Sequence, residues 1–234
     1  MINISNLEKK YKNKTVLHIN SLSIEKGNCI GLVGNNGAGK TTLLSLMLDL
    51  IESTNGEVKI NNENVKKQNW KSSTGSYLDE DFLIPYLTPK EYFEYIGKLH
   101  KVDKEAIISF MNENKSFFDF EEMGKKTYIR DLSKGNTHKV GILATMLFKP
   151  ELIILDEPFA NLDPTSQQLL KKKLISLHQS GTTLIVSSHD LRHLTEISDR
   201  IILLEEGKVK IDTPNNESML EKLESYFILN NEAV

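Results

Sequence analysis

Cys29-Ile30-Gly31-Leu32-Val33-Gly34-Asn35-Asn36-Gly37-Ala38-Gly39-Lys40-Thr41-Thr42 opens on a short apolar run and closes on Gly-Lys-Thr-Thr. The apolar run reads as a buried strand. Leu43, Leu44, Leu46, Met47 and Leu50 follow with the spacing of a helix that has a broad buried face. Between them, Gly34 to Thr41 fits G-x-x-x-x-G-K-[ST], and strand, glycine loop, helix is the context this spacing requires. The glycines let consecutive N–H groups face one anion, and the helix that begins here adds its positive end. Lys40 is placed to reach the β and γ phosphates of a nucleotide, and Thr41 to put its hydroxyl on Mg²⁺. Gly34, Asn35, Asn36, Gly37, Ala38, Gly39, Lys40, Thr41 and Thr42 are therefore expected to bind ATP with Mg²⁺. A glycine turn with a chance lysine would lack the two flanking elements.

On the amino-terminal side, Ile2, Ile4 and Leu7 alternate and Val16 to Ile24 forms a second extended stretch. Beyond the loop, Asn55 to Asn61 reads as a turn and a strand. From Thr88 to about Lys126 the apolar spacing turns helical, in Tyr92, Phe93, Ile96 and Leu99 and again in Ile107, Ile108 and Met111. These aromatics are core residues of a small helical lobe and mark no cofactor. Leu152 to Leu155, Thr183 to Val186, Ile201 to Leu204 and Lys208 to Ile211 are further strands, with a helix from Thr165 to His178. Apolar strands separated by helices indicate an α/β core with a mainly parallel sheet, whose active groups lie at the carboxyl ends of strands. The tail beyond Pro214 reads as a helical extension.

The chain has 234 residues, enough for one large domain with a smaller lobe. Net charge is −3, which gives no ground for a general nucleic-acid binder. A single cysteine, Cys29, excludes an internal disulfide and a cysteine-rich metal site. No run of 18 apolar residues occurs, so no membrane-spanning helix is expected, and the amino terminus does not read as a signal peptide. A membrane role would need a separate partner.

The strand Leu152 to Leu155 ends in Asp156-Glu157-Pro158. Asp156 is placed to hold Mg²⁺, directly or through water. Glu157 points elsewhere and could orient or activate the water that attacks the γ-phosphate. Taken alone the pair could be a solvated strand end. His189 ends another apolar strand on the chemical side of the sheet, where a neutral imidazole could hydrogen-bond a phosphate.

Together these residues resemble the nucleotide-binding subunit of an ABC transporter, over nearly the whole chain from Tyr11 to about Ile211. Lys40-Thr41 fits the family's Walker A motif, and Ile153-Ile154-Leu155-Asp156-Glu157-Pro158 its Walker B motif with the following catalytic glutamate. Asn161-Leu162-Asp163 resembles the D-loop, and Ser187-Ser188-His189-Asp190 the switch region. Tyr11 falls where the family places a ring that stacks on adenine. Leu132-Ser133-Lys134-Gly135-Asn136 resembles the signature sequence Leu-Ser-Gly-Gly-Gln, with Lys134 and Asn136 as departures. The resemblance implies that Ser133 and Gly135 contact the γ-phosphate held by another subunit. The family's glutamine before the helical lobe is matched by Asp79, in Tyr77-Leu78-Asp79-Glu80-Asp81. Asp79 can accept metal or water but cannot donate as an amide does.

The resemblance implies an α/β P-loop NTPase core, an N-terminal antiparallel β subdomain and a small helical lobe. The expected parts are 1–80 for that subdomain and the phosphate loop, 81–135 for the lobe, 136–212 for the rest of the core and 213–234 for an extension. It implies ATP hydrolysis with Glu157, His189 and Asp79 as catalytic residues, and Mg²⁺ held at Thr41, Asp156 and Asp79. It also implies a homodimer or heterodimer of ATPase subunits at the cytoplasmic face of the cell membrane, coupled to a separate permease. Lys134, the Asp79 loop and the short tail resemble exporters, so export is expected over import. The alternative is a soluble ATPase of the same kind acting on ribosomes or nucleic acid. Those resemble two fused domains or carry long coiled coils, and this chain has one phosphate loop and no sustained heptads. A small-molecule kinase would leave Ser133 to Asn136 and His189 without a task.

Overall fold

The computed structural model describes residues 1–120 and 126–231. The quoted stretch begins with β3 (Cys29–Val33) and runs through the glycine loop into α1 (Lys40–Met47). Ahead of it stand β1 (Ile2–Tyr11) and β2 (Lys14–Ile24), and after it β4 (Asn55–Ile60), β5 (Glu63–Asn64) and β6 (Thr74–Tyr77). The helical lobe contains α2 (Pro89–Leu99) and α3 (Lys104–Glu113). Then come α4 (Lys134–Met146), β7 (Leu152–Leu155), α5 (Pro164–Gln179), β8 (Thr183–Ser188), α6 (Leu191–Ile197), β9 (Arg200–Glu205), β10 (Lys208–Pro214) and α7 (Met219–Asn231).

Two sheets form. A four-stranded antiparallel sheet has the order β2-β1-β4-β5, and a six-stranded sheet has the order β10-β9-β3-β8-β7-β6. In the larger sheet β9, β3, β8, β7 and β6 pair in parallel, and β10 closes the edge antiparallel to β9. The fold is thus the expected α/β core with an antiparallel subdomain and a helical lobe. Part of the stretch read as helical from Thr88 to Lys126, residues 121–125, lies outside the described residues, as do the last three residues of the expected extension.

The strand period of two divides each buried strand between two cores. Cys29, Val33, Ile153, Leu155, Leu184 and Val186 face the core built with α4, α5, α6 and the helical lobe. Ile30, Leu32, Leu152, Ile154 and Ile185 face the core built with α1 and the antiparallel sheet. Covering both faces lets parallel strands read as uninterrupted apolar runs. Burying side chains of this size stabilises by roughly 1.5–3 kcal/mol each. The sheet therefore holds the carboxyl ends of β3, β6, β7 and β8 in fixed relation, and the site is built there.

The lobe's first helix has a full capping box. Thr88 Oγ1 accepts from Glu91 N at 3.3 Å, and Glu91 Oε2 accepts from Thr88 N at 2.8 Å. Pro89 occupies the first turn, where its missing N–H removes nothing. Phe93 from this helix is fully buried and meets Phe120 edge-on, with centroids 4.8 Å apart.

Candidate nucleotide site

Gly37 and Gly39 adopt φ of 82° and 103°, a left-handed backbone that favours glycine. Gly39 stands directly before α1 and makes no side-chain cap, so the first amides of that helix stay available. Lys40 is only 7% exposed, and its Nζ donates to Gly34 O at 2.6 Å across the curl of the loop. The ammonium also lies 3.7 Å from Glu157 Oε1. Asn35, Asn36 and Gly37 form the exposed rim.

Asp156 follows β7 and is buried. Thr41 Oγ1 donates to its Oδ2 at 2.5 Å, and Ser187 Oγ donates to its Oδ1. One carboxylate thus ties the phosphate loop to the ends of two parallel strands. Ser187 Oγ also accepts from Glu157 N at 3.0 Å. Glu157 has a φ of +48°, uncommon for a side-chain-bearing residue. Its Oε2 accepts from His189 N at 3.2 Å and lies 2.8 Å from His189 Nδ1. An ionised carboxylate only accepts, so Nδ1 carries the proton in that pair. A neutral His189 then presents Nε2 outward as an acceptor.

Tyr11, Val16, Asn35, Asn36, Gly37, Gly39, Lys40, Thr41, Thr42, Asp156 and Glu157 line one cleft. Tyr11 is 52% exposed there, and Lys9 Nζ stands 4.8 Å from its ring centre. A neighbouring cleft on the far side of Asp156 and Glu157 is lined by Asp79, Lys134 and Asn161, among others. Asp79 Oδ1 accepts from Asp81 N at 3.0 Å and caps the turn Glu80–Phe82. Ser133 caps α4, its Oγ accepting weakly from Asn136 N at 3.4 Å. A Cβ on Gly135 would come within 2.7 Å of Asn161 O, so the first turn of α4 packs on the segment after β7. Neither Ser133 nor Gly135 lines the Lys40 cleft.

The structure therefore brings Tyr11, the loop, Thr41, Asp156, Glu157 and His189 into one neighbourhood, puts Asp79 in the adjoining cleft, and leaves Ser133 and Gly135 apart. The donor set fits a nucleotide with its metal. The loop amides and a buried ammonium suit phosphates, and Thr41 with Asp156 offers hard oxygens. Among the described residues no cluster of three or more His, Cys, Asp or Glu forms a metal cage. Mg²⁺ takes one or two protein ligands together with phosphate oxygens, and Thr41 and Asp156 could supply that number. Ser187 had escaped the site assignment. The available signal was a polar residue near the end of a strand buried throughout.

A family model described as ABC transporter matches residues 17–160. An uncharacterised ABC transporter ATP-binding protein of Alkalihalophilus pseudofirmus is 37% identical over 177 residues, 75% of this chain and 65% of the relative. The chain thus spans about two thirds of that relative's length. The bacitracin transport ATP-binding protein BcrA of Enterococcus faecalis is 34% identical over 214 residues, covering 88% of this chain and 67% of that protein. A bacterial ABC transporter cassette solved as a dimer superposes with a TM-score of 0.80 at 27% identity, over 92% of this chain and 99% of the other.

Proposed function

The chain belongs to the ABC transporter family as an ATP-binding subunit, and from that premise we propose that two copies, or one copy and a related subunit, close around ATP and drive a separate membrane permease. The observation that carries this reading is the tie from Thr41 through Asp156 to Ser187, with Glu157 and Lys40 alongside.

Bound ATP supplies the phosphoanhydride to be cleaved, and Mg²⁺ the charge that draws electrons from it. The loop amides and Lys40 hold the phosphates. To do so Lys40 turns its ammonium away from Gly34 O and Glu157. That frees Glu157 Oε1 to take a proton from water. Thr41 and Asp156 would hold the metal, with Ser187 bonded to the other oxygen of Asp156. Asp79, which lines the adjoining cleft and accepts from Asp81 N, would offer a further carboxylate oxygen to the metal or its water. His189 guards Glu157 in the resting arrangement. It donates to phosphate only after leaving that carboxylate or gaining a second proton, because its one hydrogen is on Nδ1. Tyr11 stacks on the base.

Ser133 and Gly135 act on the nucleotide of the opposing subunit. Their absence from the Lys40 cleft supports this, as does the dimeric form of a similar cassette. Mass action then links ATP binding to dimerisation, and loss of the γ-phosphate permits opening. Export rests on Lys134 in the signature, which resembles exporter-type variants. The permease contact falls on the turn after Asp79, where Phe82 and Tyr86 are 58% and 67% exposed. Arg130 lies over Tyr86 at 4.9 Å and adds a charged border. No described helix is long and apolar enough to cross a membrane, so the permease is a partner of this chain's described part.

Glu157→Gln tests the core of the reading. Phosphate release should fall by about 100-fold or more, the usual scale for a general base, and ATP should trap a dimer on size-exclusion chromatography. Parental turnover in that variant would remove Glu157 from the mechanism.

A further inference from the structure

His138 sits at a three-way junction that the chemistry above leaves without a role. It stands one turn into α4, and its Nδ1 lies 3.2 Å from Tyr77 Oη. The two rings meet edge-to-face with centroids 5.0 Å apart. Tyr77 ends β6, and Tyr77 O accepts from Asp156 N at 2.9 Å. Its ring lies on Gly141, where a Cβ would come within 2.1 Å of it. Any side chain at 141 is excluded, and the strand end is pressed against the helix.

The second ring nitrogen, Nε2, is buried and completes no hydrogen bond. Burial holds the His138 pKa below the ordinary histidine value, against the pull of the main-chain carbonyls of Glu157 and Pro158. A tyrosine phenol carries its proton at neutral pH, so the Tyr77 hydroxyl has a hydrogen to donate. When the phenol donates to Nδ1 of a neutral ring, the ring hydrogen lies on Nε2. A buried N–H without a completed bond costs free energy until an acceptor is found. The acceptors at hand are the carbonyls of Glu157 and Pro158, and Glu157 is the residue in left-handed backbone.

We propose that His138 is a positioning residue for Glu157: its Nε2–H bonds the Glu157–Pro158 main chain and so holds the Glu157 carboxylate in the hydrolytic geometry. The proposal rests on the reading of Glu157 as the group that activates water. Tyr77 belongs to the same device, because it fixes which ring nitrogen carries the hydrogen.

The test compares His138→Leu, His138→Gln and Tyr77→Phe with the parent. Steady-state hydrolysis, ATP affinity and thermal melting are measured on each, with ¹⁵N-histidine NMR of the parent assigned by the His138→Gln spectrum. His138→Leu should lower kcat about tenfold, the scale of one lost hydrogen bond, with KM and ATP affinity unchanged. Gln can accept from Tyr77 and donate to a carbonyl, so His138→Gln should recover most of kcat. Tyr77→Phe, which removes one oxygen, should lower kcat in the same direction. NMR should show the neutral ring with its hydrogen on Nε2. A hydrogen on Nδ1, parental kcat in His138→Leu, or no recovery in His138→Gln each overturns the proposal. Parental turnover in Glu157→Gln sinks the reading of Glu157 and this proposal together, whereas turnover lost there and kept in His138→Leu sinks only this one.

Discussion

Lys40 is charged and 7% exposed, yet it has only a carbonyl and one edge of a carboxylate for partners. Three ammonium donors are not used up by that pairing, so the tip is poised to exchange it for phosphate oxygens. Lys40→Ala should weaken nucleotide binding by about 1.5–3 kcal/mol, the worth of a charged hydrogen bond, or roughly 10- to 150-fold in Kd. Isothermal calorimetry reads this directly, and unchanged affinity would remove Lys40 from the site. Glu157 is the complementary case. Its two oxygens are divided between Lys40 and His189.

At the scale of elements, the site depends on where helices and strands end. The six-stranded sheet aligns the ends of β3, β7 and β8, so one serine at the end of β8 can serve both residues after β7. The segment after β7 is fastened at its far end by Asp163, which caps α5. Asp163 Oδ1 accepts from Ser166 N at 2.9 Å, and Ser166 Oγ donates to Oδ2 at 2.5 Å. Lys139 of α4 adds an ion pair at 3.5 Å. The Ser166 bonds, more than Lys139, lower the Asp163 pKa from 3.8 to about 2. A depressed carboxylate contributes its stability in full above the unfolded value and loses it as pH falls through the folded one. The stability difference between the parent and Asp163→Ala should therefore be constant near neutral pH and shrink between about pH 4 and pH 2. Urea unfolding at a series of pH values checks this. A difference that does not change with pH would mean that the cap acts without its charge.

At the scale of the molecule, the Lys40 loop and Ser133 belong to separate surfaces. In the proposed arrangement a single chain supplies the Lys40 half of one site and the Ser133 half of another, which is why the functional unit is argued to be a dimer. Ser133→Arg should leave ATP binding by the isolated chain as in the parent. In a Glu157→Gln background it should abolish the ATP-trapped dimer in sedimentation velocity. An intact dimer would show that Ser133 lies outside the shared site. Phe82 and Tyr86, after Asp79, are exposed as well. Phe82→Asp should reduce co-purification of the permease while the basal hydrolysis rate stays at the parental value. Retained co-purification would move the contact elsewhere.

The phosphate loop was legible in the linear order because its geometry is local. Gly37 and Gly39 set backbone angles, and α1 begins at the next residue, within one short stretch. The buried strands β3, β7, β8 and β9 were legible for a related reason: parallel strands covered on both faces need no polar alternation. Strand β6 was not, since Thr74-Gly75-Ser76-Tyr77 is polar and short, and only pairing with β7 makes it extended. The roles of Asp156, Glu157 and His189 could be listed from their positions after apolar runs, but not their mutual contacts. Those contacts join residues some thirty positions apart, and the sheet order alone makes β7 and β8 neighbours. The Tyr77–His138–Gly141 junction lay wholly beyond the linear order, because its first contact spans 61 positions and crosses from sheet to helix. The sequence by itself determined the strand, glycine curl and helix from Cys29 to Met47, because backbone curl and helix start are short-range properties. Only the tertiary structure decided which side chains restrain Glu157, because that depends on which strand ends and which helix are packed side by side.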